Sequence, residues 1–95
     1  MITGEQIRAA RGLARLDQAE LAERAGISLE TIKRLERLRG PISANTTTEA
    51  AIRSAFGTLD VIFLEEDGHG YGVRFRYPGP SRGPASGRTG AEGYA

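Results

Sequence analysis

Between Ser28 and Arg39 the chain sets hydrogen-bonding and charged side chains at the spacing of one helical face: Ser28, Leu29, Glu30, Lys33, Arg34 and Arg37, with Arg39 just beyond. Ile32 and Leu35 fall on the opposite, buried side. A helix so presented, with cations towards its far end, fits the major groove of DNA. Leu29 can touch a thymine methyl, and Glu30 can accept from a cytosine amino group. Lys33, the only lysine, lies one turn on and suits a base or a phosphate. Arg34 can do the same or pair with Glu30 at helical spacing. Lys33, Arg34, Arg37 and Arg39 together suit phosphates, in contacts that weaken with salt. Blander accounts exist for each. The cations can be a solvated helix end favoured by the macrodipole, Glu30 a first-turn acid, and Leu29 a partly buried side chain.

Other candidates are fewer. Ser43, Asn45 and Thr46 precede a further helix and can either donate to a DNA backbone or simply cap that helix. His69 is the single histidine, in a glycine-rich turn without cysteine or a second histidine, and reads as a turn residue rather than a metal ligand. Gly68-His69-Gly70-Tyr71-Gly72 lacks the spacing, lysine and following helix of a phosphate loop. There is no nucleophile–base pair or carboxylate dyad with positional support. No catalysis, metal or cofactor is expected.

The elements that must position these residues are legible. Thr3 with Gln6 forms a capping box that opens a helix running to about Gly12, with Ile7, Ala10 and Leu13 on one face and Arg8, Arg11 and Arg15 elsewhere. Asp17 with Glu20 is a second box, opening a helix from Gln18 to about Ala25. A helix N-terminus there also attracts phosphate. Leu21, Ala22 and Ala25 face inward, and Ala22 leaves room for a closely crossing helix. Gly26 supplies the permissive backbone of a tight corner, and Ser28 caps the next helix. That helix is expected to end near Arg37 to Arg39, before Gly40-Pro41. Pro41 to Thr47 reads as a polar loop. A fourth helix over about Thr48 to Phe56 turns Ala51, Ile52, Ala55 and Phe56 to the core.

Asp60 to Leu64 and the strictly alternating Val73 to Tyr77 flank a turn-rich stretch and read as a β-hairpin. A lone hairpin is marginal in water, so it must pack on the helices or pair with a second copy. Val61, Phe63, Val73, Phe75 and Tyr77 are surplus apolar residues that suit a dimer interface; alternatively they cover the fourth helix near Ile52 and Phe56. The tail from Pro78, made of Gly, Pro, Ser and Ala with scattered charge, is expected to be disordered.

Gln18, Leu21-Ala22, Gly26-Ile27-Ser28, Thr31-Ile32 and Leu35-Glu36, with the opening ITGEQIRAARG, resemble the Cro and phage-repressor-like helix-turn-helix proteins, the XRE family, over about Ile2 to Leu59. The resemblance implies a mainly α fold: a four-helix domain of the lambda-repressor-like type, here followed by a C-terminal β-hairpin. It implies sequence-specific binding of double-stranded DNA, a phosphate contact for Gln18 and a structural role for Glu36. In the family a glycine follows this glutamate directly or after one residue; here Arg37-Leu38-Arg39 intervene, so the recognition helix is expected to run a turn longer.

Composition sets the limits. The chain has 95 residues and no cysteine, so neither disulfides nor thiolate chemistry contribute. No apolar run approaches the roughly 20 residues that span a bilayer, and no basic-then-apolar signal opens the chain, so the expected location is the cytoplasm. The net charge of +1 is uninformative, but its distribution is not: residues 1–57 hold nine Lys/Arg against seven Asp/Glu, and residues 58–77 hold two against four. The expected organisation is a DNA-binding domain over 1–59, a hairpin over 60–77 as the dimerisation element, and a tail over 78–95. The expected protein is a repressor on a two-part operator, working as a homodimer. One rival is an antitoxin-like interaction protein that binds a protein partner through the hairpin or tail and autoregulates on DNA. Another is a degenerate helix-turn-helix that binds DNA without sequence choice.

Overall fold

The computed structural model describes residues 1–42 and 44–78, so the expectations for Ser43 and for the tail beyond Pro78 lie outside the described residues. Six elements follow in order: α1 (Gly4–Ala14), α2 (Gln18–Ala25), α3 (Leu29–Arg37), α4 (Thr46–Gly57), β1 (Val61–Leu64) and β2 (Gly72–Phe75). The architecture is mainly helical with a C-terminal antiparallel hairpin, as the sequence predicts. Among the described residues no helix is long and apolar enough to cross a membrane.

Each helix opens on a side chain that accepts from an otherwise orphaned main-chain N–H. Thr3 accepts from Gln6 and Asp17 from Glu20, each as a full capping box. Ser28 Oγ accepts from Thr31 N at 3.1 Å, and Asn45 Oδ1 from Thr48 N at 2.7 Å. The α2–α3 corner turns on Gly26, whose φ of 69° lies in the left-handed region that glycine enters without a Cβ penalty.

Four boundaries differ from the sequence expectation. α1 runs through the solvent-exposed Gly12 to Ala14, because one glycine costs a helix only about 1 kcal/mol. α3 ends at Arg37, within the expected Arg37 to Arg39, but without the extra turn implied by the departure from the family; Leu38 swings to extended backbone, so the loop absorbs the extra residues. The segment Pro41 to Thr47 is not simply a polar loop. Ile42 is buried, its N–H donates to Ile2 O at 2.9 Å, and α4 starts at Thr46. The second strand stops at Phe75, which leaves Tyr77 exposed beyond it.

The core gathers Ile7 and Ala10 of α1, Leu21 of α2, Ile32 and Leu35 of α3 and Ile52 and Phe56 of α4. The hairpin closes it. Register pairs Val61 with Phe75 and Phe63 with Val73, so these four share one face. Val61 and Phe63 are buried there, Phe63 meeting the Phe56 ring edge-on at 5.6 Å between centroids. Val73 and Phe75 pack half-buried against the same core. Val61 and Phe63 thus take the second of the two roles open to this face, covering the fourth helix, with Val73 and Phe75 half-buried beside them. A four-helix core of this length leaves one side open, and the hairpin fills it.

Gln6 locks the hairpin in place. Its Nε2 donates to Leu64 O at 2.9 Å and Gly72 O at 2.8 Å, while its Oε1 accepts from Thr3 N. Gln6→Leu keeps most of the volume but strips partners from three main-chain groups in a site where Gln6 itself is 3% exposed. We expect a loss of about 1–3 kcal/mol in urea unfolding, with faster amide exchange in β1 and β2. An unchanged midpoint would mean that the lock contributes nothing net.

Candidate nucleic-acid interface

α3 projects one stripe from the domain. Ile32, Leu35 and Glu36 are buried, and diametrically opposite them Glu30, Arg34 and Arg37 are exposed at successive turns. Leu29 and Lys33 form a flank between the two sides, both half-buried, Leu29 packing against the core. Lys33 Nζ lies 4.0 Å from Glu30 Oε2, so the helical pair expected for Arg34 is made by Lys33 instead. Glu30 is largely exposed and Lys33 partly so, and such a pair is worth a few tenths of a kcal/mol. It constrains neither side chain. Ser28, exposed at the start of α3, donates to Thr31 Oγ1 at 2.9 Å as well as capping the helix.

Beneath α3 lies the arrangement that fixes its position. Glu36 is 3% exposed, and Arg11 of α1 meets it through two bonds, Nε to Oε2 at 2.6 Å and Nη2 to Oε1 at 2.9 Å. Gln18 adds a third through Nε2 to Oε1 at 3.2 Å, and Arg11 Nη1 also reaches Leu16 O at 3.1 Å. The hydrogen bonds that Arg11 donates to Glu36 raise its affinity for its proton above the ordinary guanidinium value. One buried carboxylate thus ties α1, the entry of α2 and the last turn of α3. The structural role implied for Glu36 has its geometry here.

The network also orients Gln18. One of its amide N–H groups is held by Glu36, and the other points away from that bond. Asp17 satisfies the N–H of Glu20, which leaves the N–H groups of Gln18 and Ala19 without intrahelical partners at the start of α2. These donors sit at the positive end of a helix dipole and suit an anion.

Beyond α3 the loop is pinned to the start of α1. Gly4 N donates to Gly40 O at 3.3 Å, Ile42 N to Ile2 O at 2.9 Å, and Gly40 N to Glu5 Oε1 at 3.0 Å. That last bond holds the Glu5 carboxyl below its ordinary range, with Arg8 and Arg39 acting in the same direction. Arg37 and Arg39 stand exposed on either side of Leu38. Asn45, exposed where α4 begins, uses Oδ1 for its cap and keeps its amide N–H groups for other contacts.

Of the residues singled out in the sequence, the structure gathers Glu30, Arg34 and Arg37 on one stripe and sets Lys33 beside it. Arg11 is the residue that sequence reading misplaced: it is i+4 from Ile7 and so falls beside the buried stripe of α1, not away from it. That spacing, together with a glutamate on the apolar side of α3, was the available signal. A buried carboxylate needs a cation.

The electrostatics describe a scaffold that presents donors and cations at three adjacent elements. Residues 7–46 match a protein-family model described as helix-turn-helix, a span that takes in most of α1, all of α2 and α3 and the cap of α4. The hairpin lies outside it. A search of curated proteins finds no match to the chain.

Proposed function

Because residues 7–46 form a helix-turn-helix of the XRE type, the domain of Cro/CI-like DNA-binding transcription regulators, we propose that this chain is a repressor that binds a two-part operator as a homodimer. The observation that carries the reading is the exposed stripe of α3, with Glu30, Arg34 and Arg37 opposite the buried Ile32, Leu35 and Glu36. Each copy lays α3 in the major groove. Ser28, Leu29, Glu30 and Lys33 face base edges, as the N-terminal residues of a recognition helix do. Arg34, Arg37 and Arg39 grip phosphates, and the N-terminus of α2 with Gln18 and the start of α4 with Asn45 contact the same backbone. One such domain reads few base pairs, so two half-sites about 34 Å apart supply selectivity. Occupying a promoter in this way excludes polymerase without any chemistry.

Selection of bound duplexes from a random pool supplies the operator on which the roles separate. Lys33→Ala and Glu30→Ala should change which base positions matter, by about 1–3 kcal/mol at the contacted position. Arg39→Ala should weaken every duplex alike and reduce the salt slope by about one. If all three variants lose affinity evenly across sequences, α3 does not read bases.

A further inference from the structure

The hairpin has a second face, fixed by the parity of its ladder. Arg76 N donates to Asp60 O at 2.7 Å, and hydrogen-bonded pairs alternate along an antiparallel ladder. The outward side therefore carries the rungs Asp60–Arg76, Ile62–Arg74 and Leu64–Gly72, opposite the side packed on the core. Among the described residues, four large apolar side chains are exposed: Leu64, Tyr71 and Tyr77, which belong to the hairpin and its flanks, and Met1. The helices keep theirs inside.

Charge is graded along this face. The base of the hairpin sets Arg76 against Asp60, the next rung sets Arg74 across from Ile62, the Leu64–Gly72 rung is apolar, and the tip is Glu65, Glu66 and Asp67. Arg74 has no carboxylate partner among the described residues. Glu65 is engaged by Arg53 of α4. Glu66 accepts the turn N–H groups of Gly68 and Gly70 and Asp67 accepts from His69, and among the described residues neither has an Arg or Lys partner. A face that is basic at one end, apolar in the middle and acidic at the other is complementary to itself when reversed.

We propose that two copies of the chain pair through this outer face, hairpin upon hairpin and base to tip, about a two-fold axis that lies between the sheets and crosses the Leu64–Gly72 rung. The axis sets Leu64 on Leu64, with no side chain at Gly72 to hold the sheets apart. At about 3.3 Å per residue, Arg74 lies about 6.6 Å from the axis towards the base, and Glu66 lies on the other side, in the turn past the end of β1. Each Arg74 therefore meets the acidic tip of the other copy, twice by symmetry. The face spans two strands of four residues, less than the roughly 800 Å² per partner of a standard interface. Pairing is accordingly weak between free chains and strongest when two half-sites hold them side by side.

This inference rests on the homodimer reading, and sedimentation of the full chain, free and on the selected two-site duplex, tests the two separately. The natural chain should associate as its concentration rises towards millimolar and should fill two half-sites cooperatively. Arg74→Glu and Glu66→Lys should each weaken self-association at least ten-fold, as should Leu64→Glu, with circular dichroism and the melting temperature confirming that each variant folds. Arg74→Glu combined with Glu66→Lys exchanges the charges and should restore pairing. If the natural chain pairs but the single reversals are silent, or the double reversal fails to rescue, this face is not the interface although the dimer stands. A chain that stays monomeric at every concentration and occupies one half-site at a time overturns the dimer itself.

Discussion

Replacing Gly4 by alanine is expected to destabilise the domain by about 3 kcal/mol, the upper part of the range for overpacking a tight contact, and Gly4→Val is expected not to fold. A Cβ at Gly4 would stand 2.3 Å from Leu38 O and 2.6 Å from Leu35 O. Both atoms are main chain, so no side chain can swing away to relieve the clash. The first turn of α1 would have to withdraw from the last turn of α3, taking with it the bonds that join Gly4 to Gly40 and Ile2 to Ile42. Gly12, in the same helix, supplies the control. Nothing lies within 4 Å of its Cβ position, so Gly12→Ala should stabilise by about 0.5–1 kcal/mol through helix propensity and chain entropy. Urea midpoints of the two variants should move in opposite directions. Equal shifts would mean that α1 and α3 separate without cost.

The second large effect concerns Arg11. Arg11→Met leaves the Glu36 carboxylate buried with Gln18 as its one side-chain donor. Removing one partner of a buried pair typically costs 3–5 kcal/mol. About 3 is expected here, because the Arg11 side chain is 21% exposed and water can reach the vacated side. Arg11→Met with Glu36→Met removes both charges and should recover most of that loss, since apolar replacement of a whole buried pair is often neutral. Affinity for DNA should not recover in the double variant, because Gln18 no longer has the carboxylate that orients its amide. Stability from urea unfolding and affinity from operator titration should therefore diverge. Additive stability losses in the cycle would show that Arg11 and Glu36 are not coupled, and restored affinity would show that Gln18 needs no anchor.

Local chemistry explains why the helices and their caps were legible. A capping box, a left-handed glycine or a proline acts within four residues and needs no knowledge of the rest of the chain. Thr3, Asp17 and Ser28 each cap the helix that the sequence assigned to them, and α2 spans the residues expected of it. The stripe of α3 was legible for the same reason, since 3.6-residue periodicity decides which side chains oppose Ile32 and Leu35. Boundaries failed where a local signal was outvoted. Gly12 does not stop α1, and the residues between Glu36 and Gly40 extend a loop rather than a helix, because the loop is held by bonds to Ile2, Gly4 and Glu5 that lie about 35 residues away in sequence.

The sequence by itself determined the element types, the corner at Gly26, the exposed face of α3 and the family resemblance, all of which follow from periodicity and spacing. Only the tertiary structure decided which partner each buried polar group has and which face of the hairpin is used. Arg11 finds Glu36, and Gln6 finds both strands, through distances that no local pattern encodes. Side chains of a strand alternate between two faces, so composition can say that Val61, Phe63, Val73 and Phe75 lie together but not what covers them. The helices leave one side of the core open, and burial of these four there turns Ile62, Leu64 and Arg74 outward. Apolar surface goes first to the cavity its own chain cannot otherwise fill, because that contact requires no second molecule to be immobilised.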